Sequence, residues 1–183
     1  MAKRFHIPPD MIGEVVGKIS PTPTTGVAVV EAARMPQLVT LTLTAKAVSV
    51  DSGDDFGSVE LVTLPNSNLL ITACIVDLAA TVAGLATETV ETVDYAIGTV
   101  ATTTTDFSVA GEDNLTPKID GVGAAASGTV KGASSSSTIN VLVAAGASNK
   151  VYLNVSSPVT ADTATITVTG TVKLVVLDLG KPA

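Results

Sequence analysis

The chain is poor in the residue types on which catalysis and cofactor binding commonly depend. It has no tryptophan and only 3% aromatic residues, too few to build the platform on which a sugar ring is usually held. Its single histidine, His6, stands beside Pro8 and Pro9. Any Ser-His-Asp or Cys-His arrangement would have to run through it, and no such motif surrounds it, so it reads as a surface or interface histidine. Cys74 is also alone, which excludes an intramolecular disulfide and a thiolate metal cluster. Its setting, ITACIVDL, is that of an inert buried thiol. Basic residues number 10 against 17 acidic ones, for a net charge of -7. They form no run longer than Lys3-Arg4, so a nucleic-acid partner is not expected.

Long apolar runs are missing as well. The best candidate for a membrane span, Leu69 to Leu85, is interrupted by Thr72, Asp77, Thr81 and Gly84 and falls short of about 20 apolar residues. The N-terminus, MAKRFHIPPDMIG, has a positive start but prolines where the apolar core of a signal peptide would begin. A soluble protein without Sec export or membrane contact is expected.

Four local patterns invite a functional reading. Gly121, Gly123 and Ala126 match G-x-G-x-x-A, but PKID rather than an apolar strand precedes them and no helical pattern follows, so they do not form a dinucleotide site. Asp51, Asp54 and Asp55 offer oxygen ligands without the spacing or distal Glu of an EF-hand, and read as a solvated acidic turn. Glu88, Glu91, Asp94, Asp106, Glu112 and Asp113 resemble a supply of glycosidase carboxylates, but lack the aromatic platform. Asn114-Leu-Thr and Asn154-Val-Ser are glycosylation sequons, of no consequence without secretion. No enzyme chemistry, cofactor or metal is therefore expected.

What the sequence does contain is β-structure. In the last long run, Thr165 to Leu174, the apolar Ile166, Val168, Val172 and Leu174 alternate with Thr165, Thr167, Thr169, Thr171 and Lys173. Period two places aliphatics on one face of a strand and a threonine ladder on the other. Beyond Leu174 the residues Val175 to Leu177 are apolar on both faces and call for cover on both sides, while Gly170 sits where a bend would let the run serve two packed sheets. GVAVVEAAR and QLVTLTLTAKAVSV precede it. In the second, Val39, Leu41, Leu43, Ala45 and Ala47 share a face and Val48 and Val50 fall out of phase, which predicts a β-bulge. SVELVTL, NLLITACIVDLAATVA, TINVLVAA and NKVYLNV supply further strands, the second with the two-sided apolar content of a central strand. Residues 79–93 fit strand or helix equally. Residues 99–137 read as long Thr/Gly/Ser-rich loops anchored by Phe107, Val109 and Ile119. Eight or nine strands with recurrent turns predict one all-β domain, an antiparallel β-sandwich, at 26–183. Its core includes Leu41, Leu43, Leu61, Ile71, Val141, Leu153, Ile166, Val168, Val172 and Leu174.

Residues 1–25, punctuated by Pro8, Pro9, Pro21 and Pro23, form an extended N-terminal arm, with a short turn of helix open at 10–18. Few large apolar residues stand in it, so the arm is expected to dock on another subunit. Lys3 and Arg4 would meet acidic groups there, and Phe5, Ile7, Met11 and Ile12 would serve as apolar anchors.

DFGSVELVTLPNSNLLITACIVDLAATV, then DFSVAG, then KVYLNVSSPVTADTATITVTGTVKL resembles the small β-sandwich virion proteins of tailed bacteriophages. In that family a G-V-K-L-x-x-x-P-x-G strand pair, a D-F-S-V-G segment, a D-I-Y-L-N-L strand and a closing A-D-T-x-V-T-V-T-G-T-V strand occur in the same order. The similarity covers 56–175, is strongest at 151–172, and departs at Val109-Ala110-Gly111, where the family has V-G. The resemblance implies a jelly-roll-like, non-enzymatic capsid decoration or cement protein on the phage head. It further implies a homotrimer, with the major capsid protein or another virion protein as partner and the virion as location. A tail, neck or head-fibre component shares this composition. A carbohydrate-binding or adhesin-like module is a further alternative, which Tyr95 or Tyr152 exposed in a groove would favour.

Overall fold

Main-chain pairing accounts for nearly all the regular structure in the computed structural model, which describes residues 22–32, 36–51, 53–83, 93–119, 129–146, 149–157 and 163–180. The strands are β1 Thr22–Pro23, β2 Val27–Ala32, β3 Gln37–Val50, β4 Phe56–Thr63, β5 Leu69–Ala83, β6 Asp94–Gly98, β7 Thr116–Ile119, β8 Thr129–Val143, β9 Lys150–Ser156 and β10 Ala164–Asp178. They form two sheets, in the orders β1-β4-β9-β6-β7 and β2-β3-β10-β5-β8, and all pairings are antiparallel. No helix occurs among the described residues.

Apart from the two short N-terminal strands, each sheet has four strands. They run 4-9-6-7 in one sheet and 3-10-5-8 in the other, the strand arrangement of a jelly roll. The protein is therefore an all-β antiparallel sandwich of jelly-roll type.

The alternation in the sequence is what packs the two sheets together. Ile166, Val168, Val172 and Leu174 of β10 are fully buried, and so are Leu41, Leu43, Leu61, Ile71 and Leu153 from its neighbours and from the facing sheet. Val141 is half-buried and packs against the same cluster. The two-sided strand, β5, lies between β10 and β8, as its apolar content requires. Cys74 on it is fully buried, and burial pushes its thiol pKa up to about 12.

The phase slip in β3 is a bulge. Ala45 takes a left-handed φ of 52°, and the pairing with β10 shifts at Gly170. The bulge returns Val48 and Val50 to the core side and turns Ala45 and Ala47 outward. It also turns Lys46 inward, which an unbroken alternation would not indicate. Gly170, with φ 129°, is the other half of this irregularity. A Cβ on it would stand 2.1 Å from the main-chain oxygen of Asp77. It therefore marks a close strand approach. It does not let β10 serve two sheets, since β10 pairs with β3 and β5 along its whole length.

The stretch expected to be loop at 99–137 contains β7 and most of β8. β8 pairs with β5 from Thr129 to Val143 at the sheet edge, where main-chain bonds suffice and no two-sided apolar pattern is needed. Val109, expected to be a buried anchor, is 44% exposed because its loop lies on the outside of a sheet and uses its main chain, whose N–H and oxygen both bond Glu112, and not its side chain. Phe107 and Ile119 are buried. Residues 22–25, read as the end of the arm, belong to the sandwich: Thr22 pairs with Thr63 and Pro23 with Val62. β5 runs on as strand to Ala83. The arm anchors, the helix turn at 10–18, His6 and the glycines at 121 and 123 lie outside the described residues.

Candidate interaction surface

The outward residues of β10 continue the alternation past the threonine ladder. After Lys173 come Val175 and Leu177, both half-buried. Register places apolar neighbours beside them. Val175 stands between Leu38 of β3 and Ala73 of β5. Leu177 stands opposite Leu70, which in turn stands opposite Leu142 of β8. Ile75 faces Lys173 one row further up. Among these, Leu38 is 37% exposed, Ile75 41% and Leu142 62%. The outer face of the β2-β3-β10-β5-β8 sheet thus ends in an apolar block, and the cover expected over Val175 to Leu177 is present only on the core side among the described residues. A bulge at Thr72, whose hydroxyl donates to the Val175 oxygen at 3.4 Å, keeps Leu70 and Ala73 on this face.

This end of the sandwich is tied together by the turn after β4. The Asn68 N–H donates to Gly180 O at 3.0 Å and its oxygen accepts from Leu179 N at 2.8 Å. The Asn68 Oδ1 accepts from Ala145 N at 2.9 Å and the Asn66 Oδ1 from Gly146 N at 2.7 Å. The Ser67 hydroxyl donates to Asp178, and Asn149 Nδ2 donates to Pro65 O. Three chain segments are therefore fixed to one another beneath the apolar block, so the block is presented on a preorganised surface.

The other sheet treats its outer face differently. Asn154 of β9 points outward yet is fully buried, because residues 99–115 fold over it. Its Nδ2 donates to Glu112 O at 2.6 Å and Val100 O at 3.0 Å, and its Oδ1 accepts from Thr102 N at 3.0 Å. The Glu112 carboxylate, also fully buried, accepts from the Thr103 N–H and hydroxyl, the Thr104 hydroxyl and the Val109 N–H. Burial alone would raise its pKa, but these hydrogen bonds outweigh that effect and hold the carboxyl below its usual range. Asn114 completes the loop by bonding both the N–H and the hydroxyl of Thr99. Gly98 permits the close approach, since a Cβ there would fall 2.2 Å from the oxygens of Gly111 and Glu112. Both sequon asparagines thus serve in loop closure.

A third polar cluster fixes the crossing from one sheet to the other between β1 and β2. The Lys46 ammonium, brought inward by the bulge, donates to Thr24 Oγ1 at 2.8 Å and Thr25 O at 3.0 Å. Thr24 Oγ1 donates to Glu60 O at 2.7 Å, and Glu60 pairs with Lys150 at 2.7 Å. Burial lowers the Lys46 pKa against the opposing pull of Glu60. The bond from Lys150, followed by that from Thr63, lowers the pKa of Glu60. Every donor and acceptor named here is spent on chain geometry, so the cluster is a structural clip.

The remaining sequence candidates do not converge. Asp51 and Asp54 are exposed on their turn, and no three His, Cys, Asp or Glu side chains among the described residues are grouped as a metal site would require. Asp94 pairs with Lys118 at 3.0 Å. Tyr95 is fully buried and Tyr152 half-buried, so Tyr95 offers no exposed ring to a sugar. No described helix is long and apolar enough to cross a membrane. The apolar block was only partly legible in the sequence: Val175 and Leu177 were visible, whereas Leu38, Leu70 and Leu142 join them only through strand register. No protein-family model matches the chain, and no curated protein matches it at a significant level.

Proposed function

We propose that the chain is a non-enzymatic structural protein of a tailed-bacteriophage virion, a decoration or cement subunit that binds and stabilises the head shell. The observation that carries this reading is the contrast between the two outer faces. One is closed by its own loop over Asn154 and Glu112, and the other ends in the exposed apolar block at Leu38, Ile75 and Leu142. Exposed apolar patches rimmed by polar residues mark interaction sites, and the jelly-roll sandwich agrees with the resemblance at 56–175. A fold alone accommodates many functions, so the surface and the sequence resemblance carry the argument. The polar clusters are consumed by chain geometry, which favours a structural role over catalysis.

The subunit assembles as a homo-oligomer, a trimer by the resemblance, and contacts the major capsid protein or another virion protein. Lys3, Arg4, Phe5, Ile7, Met11 and Ile12 make that contact with the capsid or a sister subunit. A tail, neck or head-fibre component would use the same surface, and only its place in the particle separates the two readings. The test is an electron cryo-microscopy map of the intact particle. Sandwich-shaped density on the outer head shell is the expected result. The same density at the neck or tail would favour the second reading, and a particle lacking the protein would overturn both.

A further inference from the structure

We propose that the apolar block on the outer face of the β2-β3-β10-β5-β8 sheet is the seat of residues 1–21 of a neighbouring copy, with Phe5, Ile7, Met11 and Ile12 covering it. This rests on the homo-oligomer part of the proposed function and names the contact that builds it.

The position of the chain entry argues for this occupant. Thr22 pairs with Thr63, at the end where β4 passes through the Pro65–Asn68 turn into Leu69 of β5. That is the end of the sandwich that carries Leu70, Leu142 and Leu177. The chain therefore enters β1 at the level of the block, and the 21 residues before Thr22 are tethered there. At about 3.3 Å per residue they reach up to roughly 70 Å. The block runs from β3 to β8 across three strand spacings, about 14 Å. Phe5 to Ile12 can span at most about 23 Å, so the pairs Phe5/Ile7 and Met11/Ile12 have the reach to cover both sides of it. Their chemistry suits an aliphatic floor with no exposed polar side chain between Leu38, Val175 and Ala73.

The direction of entry argues for a neighbour rather than the same copy. β1 lies at the edge of the opposite sheet, and going back from Pro23 to Thr22 the chain runs toward the end of β4. Pro21 and Pro23 bias Ser20 and Thr22 toward extended backbone, and β1 itself points toward Thr63 and the end of its own sheet. Reaching its own outer face would need the segment to turn back around the sandwich end. A sister copy set beyond that end receives the segment without a reversal.

Cross-linking of the full-length chain tests this. Cys74 is buried and its thiol is held protonated, so introduced cysteines report without interference. Met11→Cys is placed on one tagged chain and Leu142→Cys on a differently tagged chain, and the two are co-expressed and oxidised. Leu142 is exposed, so its substitution does not threaten folding. Thr165→Cys, exposed at the opposite end of the same face, is the control. The expected result is an 11–142 disulfide between chains, about tenfold or more above the 11–165 product, as a high local concentration of the two sites requires. Equal yields at both positions, or no 11–142 product between chains, would overturn the proposal. The particle map is independent of this result. A subunit seen on the head without the 11–142 link removes the seat and leaves the function, and the link in a protein absent from the particle does the reverse.

Discussion

Asn154 on β9 and Glu112 in the loop after β6 hold one another in place: the asparagine amide donates to the Glu112 main-chain oxygen at 2.6 Å. Both side chains are fully buried although neither belongs to the apolar core. Together they convert a Thr-rich segment into a fixed cover over one outer face. The opposite outer face has no such cover among the described residues, and leaves Leu38, Ile75 and Leu142 exposed.

Glu112 makes the cover acid-sensitive. Its folded pKa lies below the ordinary value of 4.5, so the unfolded chain takes up the proton first as pH falls. The stabilisation from this group is complete above about pH 4.5 and is lost as pH drops through the folded value. Glu112→Gln is expected to destabilise the protein by about 1–3 kcal/mol at pH 7, since donors lose their charged acceptor. Urea titrations at pH 7 and pH 3 check this: the gap between the two proteins narrows at the lower pH. A gap that is the same at both would remove the carboxylate from the argument. Glu60 titrates in the same direction, and comparison of the two proteins cancels its contribution.

Gly98→Ala places a methyl group 2.2 Å from two main-chain oxygens. The loop must shift, at a cost of about 1–3 kcal/mol. Chemical denaturation is expected to show this loss, and hydrogen exchange is expected to localise it to 99–115. An alanine variant with wild-type stability would show that the loop has slack.

Val172 stands between Leu41 and Val76 with no exposure. Val172→Asp buries an unpaired carboxylate, which costs more than the roughly 5–15 kcal/mol margin of a domain can absorb, and circular dichroism is expected to show an unfolded chain. Thr165→Asp, on the outward side of the same strand, is expected to stay within about 0.5 kcal/mol of wild type. Comparable losses from both would contradict the assigned register.

β10, β5, β9 and β3 announce themselves by period two or by two-sided apolar content, and that pattern located the core before any coordinates. The first half of β8 carries no strand signal, because at a sheet edge its pairing with β5 asks nothing of its GASSSS stretch. Val109 reads as an anchor because it is apolar, whereas the structure uses its N–H for Glu112 and leaves its side chain in solvent. Glu112 and Asn154 could not have been paired from sequence, since they are 42 residues apart and each looks like an ordinary polar residue. Lys46 was hidden by the bulge that turns it inward. The arm, with Lys3 through Ile12, carries the proposed contacts and lies outside the described residues, so its part rests on sequence chemistry and the point at which the chain enters β1.

The apolar block at Leu38, Ile75, Leu142, Val175 and Leu177 is the proposed assembly surface. Sedimentation equilibrium on the intact chain and on Leu142→Asp tests it most directly, because Leu142 is 62% exposed and its replacement leaves the core untouched. The expected result is a wild-type mass that is a multiple of the 18.3 kDa chain, and a folded Leu142→Asp protein shifted toward the single-chain mass. A wild-type protein that stays at the single-chain mass at high concentration, or an aspartate variant that assembles as well as wild type, would contradict it.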